Sequence, residues 1–155
     1  MTKRHPNLIP LTHDHHHALG QARRLKLAAS ASDRERLDQA TEFVAFFHGD
    51  TVAHFREEEE VVFPLAVGDP RARDLLSRVM IEHLQFHALV SRLEDQIAQG
   101  AVDAGSAQQT AEALEKHIRL EEGHVFPLLE EIVSDAELAK VSLATRNRDE
   151  PPDAA

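Results

Sequence analysis

At 155 residues the chain is long enough for one domain built on a single core. It contains no Cys, which excludes a disulfide framework, a thiolate zinc site and an iron–sulfur cluster. Its formal charge of −10 argues against nucleic acid or an anionic membrane surface as partner. The opening MTKRHPNLIPL lacks the apolar run of a signal peptide, and no segment approaches ~18 apolar residues, so a cytoplasmic protein is expected.

Residues 1–10 read as an N-terminal extension, 11–133 as a helical domain, 134–146 as a short additional helix and 147–155 as a disordered tail. The first helix is expected from Thr12, as N-cap, to about Ala29. Leu11, His15, Ala18, Ala22, Leu25 and Ala29 recur at alternating steps of four and three, the inward seam of a bundle helix. The second starts at Ser32, with Asp33 and Glu35 in its first turn. Its seam runs through Leu37, Ala40, Val44, Phe47, Thr51, His54, Glu58 and Val61, leaving Glu57, Glu59 and Glu60 on the wet side. Pro64 disturbs its end and Gly68 closes it.

Asp69-Pro70 is a cap followed by a proline at the first helical position, and opens the third helix. That helix carries Leu76, Val79, His83, Phe86, His87, Val90 and Ile97 inward. After Gln99-Gly100 and Asp103–Ser106, the fourth places Leu114, His117, Glu121 and Leu128 on its seam. Long helices with short links predict an all-α, up-down-up-down four-helix bundle with a short extra C-terminal helix.

The chemistry lies in a repeat. HFREEEEVVFPL at 54–65 returns as HIRLEEGHVFPL at 117–128, with His54 matched by His117 and Glu58 by Glu121. In each copy the His and Glu are four residues apart and leave one helix face. Imidazole and carboxylate on a shared face form a metal-ligand pair. With the seam histidines of the other helices, the candidate set is His15, His54, Glu58, His83, His87, His117 and Glu121. Burying two carboxylates uncompensated is costly, and no Lys or Arg lies on these stripes nearby. Bound metal supplies the missing cations.

In the HDHHH tract at 13–17, neighbouring side chains point different ways; the seam selects His15, with His16 as the fallback. His5 and His48 read as surface or boundary residues. His124 reads as a pocket residue or as a hydrogen-bond partner of a ligand, because its repeat counterpart is Val61. Lys116-His117 fits a phosphotransfer bundle superficially, but that reading needs an exposed His and leaves the repeat unexplained.

Seven N and O ligands are too many for one tetrahedral zinc, and imidazole-rich sites suit neither calcium nor magnesium. They divide between two six-coordinate ions if both carboxylates bridge. Iron fits this division, manganese or a mixed pair less well.

On these residues the chain resembles hemerythrin and the hemerythrin-like HHE cation-binding domains, over roughly residues 8–132, most specifically in the two repeat copies. The resemblance implies a non-haem di-iron centre, oxo- or hydroxo-bridged, held by the five His and two Glu. One iron would leave a position for O2 or another small ligand. In oxygen-carrying hemerythrins the fourth-helix carboxylate is an Asp five residues after its His. Here Glu121 follows His117 by four; Glu122 has the longer spacing, but the repeat favours Glu121. The chain is thereby moved toward the broader HHE group.

Ferritin-like oxidases use four carboxylates and two His, the reverse of the balance here. Neutral imidazoles stabilise high-valent states less than anionic oxygen does. The expectation is a protein that reversibly binds O2, NO or peroxide for sensing, storage or stress response, rather than an enzyme. The alternative is an iron-handling or peroxide-decomposing redox enzyme.

Overall fold

The computed structural model describes residues 3–149, with side chains as far as Thr145. Among these residues the regular structure is all helix, with no strand. α1 spans Ile9–Ala29, α2 Asp33–Phe46, α3 Val52–Glu57, α4 Pro70–Ala98, α5 Ala104–Leu120, α6 Phe126–Ile132 and α7 Asp135–Asp149. Wide π turns at Phe47–Thr51 and Glu121–Val125 run without a break into their neighbours, so α2 and α3 form one rod and α5 and α6 another. A further π turn, Glu58–Val62, continues α3. Five rods result. α1 and α4 each pack against α2 and α5, closing four rods around a shared interior, while α7 lies against α1, α3 and the N-terminal turn. None of the described helices is long and apolar enough to cross a membrane.

Local chemistry sets most helix ends. Ser32 and Glu35 form a reciprocal capping box at the start of α2. Asp69 caps α4 by accepting the Arg71 N–H, and Asp103 caps α5 by accepting the Ser106 N–H. Gly100 ends the α4 connection at φ 80°, a conformation that penalises a Cβ. Thr12 is not the cap of α1. A 3-10 turn at Pro6–Leu8 leads into Ile9, and the Thr12 hydroxyl donates instead to Glu122 at 2.8 Å. α7 continues to Asp149, past the boundary expected at 146, and residues 150–155 of the expected tail lie outside the described residues.

Pro64 and Pro127 account for two of the wide turns. Proline lacks an N–H, and its ring collides with the carbonyl four residues back in a regular helix. Opening the turn by one residue relieves this: the Phe63 N–H donates to the Glu58 carbonyl, and the Phe126 N–H to that of Glu121. The inserted residue moves the buried position from Val61 to Val62 and, in the second copy, from His124 to Val125. Phe43 takes the inward place expected of Val44, which packs half-buried beside it. Glu57, expected on the wet side, is buried because α7 covers it; its carboxylate accepts the Thr145 hydroxyl at 2.8 Å.

The apolar core falls into two clusters. One contains Ala18, Phe47, Phe86 and Ile118, the other Leu11, Val62, Val79 and Val125. On every rod of the ring a polar residue separates them: His15 between Leu11 and Ala18, His54 and Glu58 between Phe47 and Val62, His83 between Val79 and Phe86, Glu121 between Ile118 and Val125. A single polar layer therefore crosses the interior at one depth. Because the α2 cap is remote from that layer, Ser32→Ala should lower stability by about 1 kcal/mol in urea denaturation without changing what the layer binds.

Candidate metal centre

Glu58 and Glu121 are both fully buried and face each other's histidines. Ligand atoms of His15, His54, Glu58 and Glu121 lie within 4.8 Å of one another, and so do those of Glu58, His83, His117 and Glu121. The two groups share both carboxylates. His54 Nε2 lies 2.9 Å from Glu58 Oε1 and His15 Nε2 2.9 Å from Glu121 Oε2. On the other side, His83 Nε2 is 3.4 Å from Glu58 Oε2 and His117 Nε2 3.2 Å from Glu121 Oε1. Each site thus has two imidazoles of its own and two carboxylates in common.

The outer nitrogens explain which ring atom faces inward. His15 Nδ1 is 2.6 Å from Glu122, His54 Nδ1 3.0 Å from Asp14, His83 Nδ1 2.7 Å from Glu59 and His117 Nδ1 2.9 Å from Glu82. A carboxylate can only accept, so each Nδ1 carries a proton and donates. Every Nε2 is left to face the shared carboxylates. Carboxylate–imidazole pairs of this kind fix the tautomer and orientation of metal-ligating histidines. Spacing along the sequence did not reveal these four carboxylates, since each comes from a turn or rod other than the ring it holds.

Whether the inner atoms suit a cation is tested by their hydrogen bonding. Both oxygens of Glu58, both of Glu121, and the Nε2 atoms of His83 and His117 are buried without a hydrogen-bond partner. The His15 and His54 Nε2 atoms face one another at 3.1 Å, and two ring N–H donors cannot do so. Close approach without hydrogen-bond alignment is what a set of lone pairs directed at cations requires. Among the described residues no Arg or Lys is buried to neutralise the two carboxylates. The residues therefore fit a pair of metal ions.

Six of the seven expected ligands converge; His87 does not. On α4 the buried positions are Ala72, Leu76, Val79, His83, Phe86, Val90 and Leu93, in strict steps of three and four. Phe86 occupies the inward place, leaving His87 exposed with its ring edge against Phe47 and Phe55. His16, the fallback for His15, is exposed, and so is His124, which the widened turn carries to the surface. Glu121, not Glu122, joins the centre, although Glu122 holds His15 from outside. His117 is 4 % exposed, which removes the phosphotransfer reading.

The N-terminal segment contributes to the site too. Arg4 donates to Glu122 at 2.8 Å and to Glu130 at 2.9 Å, and its guanidinium lies over the Phe126 ring at 5.2 Å. Phe126 stacks on His15, as Phe55 does on His83. Arg4 therefore bears on His15 through both Glu122 and an aromatic ring.

Burial by itself would lower the histidine pKa values, but the surrounding carboxylates outweigh it. His15 is raised by Glu121 and Glu122, His54 well above its usual range by Glu58 and Asp14, and His117 to about 10 by Glu121 and Glu82. Burial would raise Glu121, yet His117 and His15 hold it well below the usual carboxylate range; Glu122, against His15, Thr12 and Arg4, is lowered to about 2. In the metal-free protein, protons on these imidazoles stand in for the cations, with the His15 and His54 Nε2 atoms sharing one between them at 3.1 Å.

Residues 10–129 match the family model described as the hemerythrin HHE cation binding domain. No curated protein and no solved structure gave a match.

Two outcomes follow from the charge pattern. Without metal, His117 gives stability that is full below its ordinary value of 6.5 and lost as pH rises through about 10. Glu122 gives stability present above its ordinary value of 4.5 and lost as pH falls through about 2. Thermal melts of the metal-free protein should plateau between the two ordinary values, 4.5 and 6.5, and decline on both sides. Adding metal in weak buffer should release protons, read with a pH indicator, and extend the plateau to higher pH. Separately, replacing Asp14 by Asn, or Glu59 or Glu82 by Gln, should weaken metal affinity by about 10–100-fold in a chelator competition.

Proposed function

The chain belongs to the hemerythrin HHE cation-binding family, and from that premise we propose that it holds two iron ions and reversibly binds O2, or a related small ligand such as NO or peroxide. The ligands are His15 and His54 for one ion and His83 and His117 for the other, with Glu58 and Glu121 shared. Four of the rods run up-down-up-down in this reading, α7 is an addition to them, and the protein resides in the cytoplasm.

The observation that carries the reading is the ligand balance: four imidazoles against two shared carboxylates, in an interior with no buried Arg or Lys among the described residues. When bound, iron supplies the capacity to take up a diatomic ligand and exchange electrons with it. The chain does the rest. Glu58 and Glu121 set the spacing of the two sites, and the Nδ1 partners keep each ring turned inward. A cavity of about 450 Å3 reaches His15, His54 and His117, with Phe55, Leu114 and Ile118 as its apolar wall. The sequence has no Cys, Tyr or Trp, hence no thiol, phenol or indole to donate electrons, and sustained reduction of a bound ligand would need an outside reductant.

A second reading, peroxide decomposition, is favoured by His16, His17 and Arg24 around the same cavity, whose N–H groups can donate hydrogen bonds to a bound peroxide. The two readings separate experimentally. Protein expressed with iron should carry two iron atoms per chain, and the double variant Glu58→Gln, Glu121→Gln close to none. Reduced anaerobically and then aired, the protein should gain visible absorption bands and lose them again under argon. Irreversible oxidation, or steady turnover of hydrogen peroxide, would favour the redox enzyme.

A further inference from the structure

α4 has a second face that the fold leaves open. Of the large apolar side chains exposed among the described residues, three lie on this helix: Met80 at 37 %, Ile81 at 54 % and Leu84 at 70 %. At about 100° per residue, Arg73, Ser77, Met80, Ile81, Leu84, Ala88 and Asp95 all point within about 60° of one direction. All of them are exposed. The stripe, which also takes in Ser91 and, at its edge, His87, is mainly apolar and small at its middle, basic at one end and acidic at the other.

That order is self-complementary when reversed. We propose that this face is an isologous interface, on which α4 packs antiparallel against α4 of a second copy of the chain around a twofold axis at Leu84. Leu84 then meets its own counterpart, Met80 faces Ala88, Ser77 faces Ser91, and Arg73 faces Asp95, each pair occurring twice. Along one edge of the stripe, Asp74 of one copy falls beside Arg92 of the other. Glu94 lies on the opposite edge, where it flanks Arg73 of the other copy, so each end gathers two basic and three acidic side chains with every Arg beside a carboxylate. A hydrophobic partner of another kind would have no reason to find its charges placed in this mirrored order. The proposal is independent of what the centre binds, although His83 and Leu84 are adjacent on α4, one facing the carboxylates and the other the second copy.

The test is sedimentation velocity of the iron-loaded full chain over a concentration series. A monomer–dimer equilibrium is expected. Leu84→Glu, at a residue already 70 % exposed, should weaken it by about tenfold or more while leaving circular dichroism, and melting at concentrations too low for association, unchanged. Arg73→Asp alone and Asp95→Arg alone should each weaken self-association. Mixing the two single variants should restore dimers, because every end-to-end pair in the mixed species is then of opposite charge. A protein monomeric at all concentrations would overturn the proposal. So would a dimer indifferent to Leu84→Glu, or single variants whose mixture associates no better than either alone.

Discussion

Two negative charges in a dry interior constrain everything else in this molecule. Glu58 and Glu121 are buried, their oxygens lack hydrogen-bond donors, and no buried Lys or Arg is described near them. A carboxylate in that position is tolerated only where positive charge is supplied. In the metal-free chain it comes from protonated imidazoles, which is why the histidines are raised and Glu121 is lowered. With metal, the same atoms would become ligands. The centre is thus a charge-balanced layer that accepts either protons or cations, and the choice between them sets its pH dependence.

The scaffold is arranged to keep that layer in register. Apolar clusters lie on either side of it, so sliding any rod by a turn would bury polar atoms in hydrocarbon or expose core. The wide turns after Glu58 and Glu121 arise from prolines six residues further on, and they start at the ligands themselves. An outer ring of carboxylates, Asp14, Glu59, Glu82 and Glu122, holds the imidazoles from behind. Arg4 extends this support to a segment outside the bundle proper.

α4 is two-sided. Its inner stripe carries His83 and Phe86 into the core, while its outer stripe presents Leu84 and its apolar neighbours to solvent. Paired copies would cover that outer stripe without touching the cavity that reaches His15, His54 and His117 from the side of α1 and α2. In the proposed reading, ligand access and self-association would occupy different faces of one small bundle.

The sequence by itself determined the helical class, the paired His/Glu elements and the selection of His15 from its tract, because spacing along a helix is a local property that maps directly onto its faces. It also identified six of the residues that converge. Tertiary structure decided the rest. His87 lost its place to Phe86, a difference of one position that only packing resolves. His124 moved to the surface because a proline widened the turn before it, and Glu57 went inside because α7 lies over it. The outer carboxylates were invisible in the spacing, since each reaches its ring from another part of the chain. Side-chain direction along one rod is set by helical geometry, whereas depth and neighbours across rods are set only when all of them pack together.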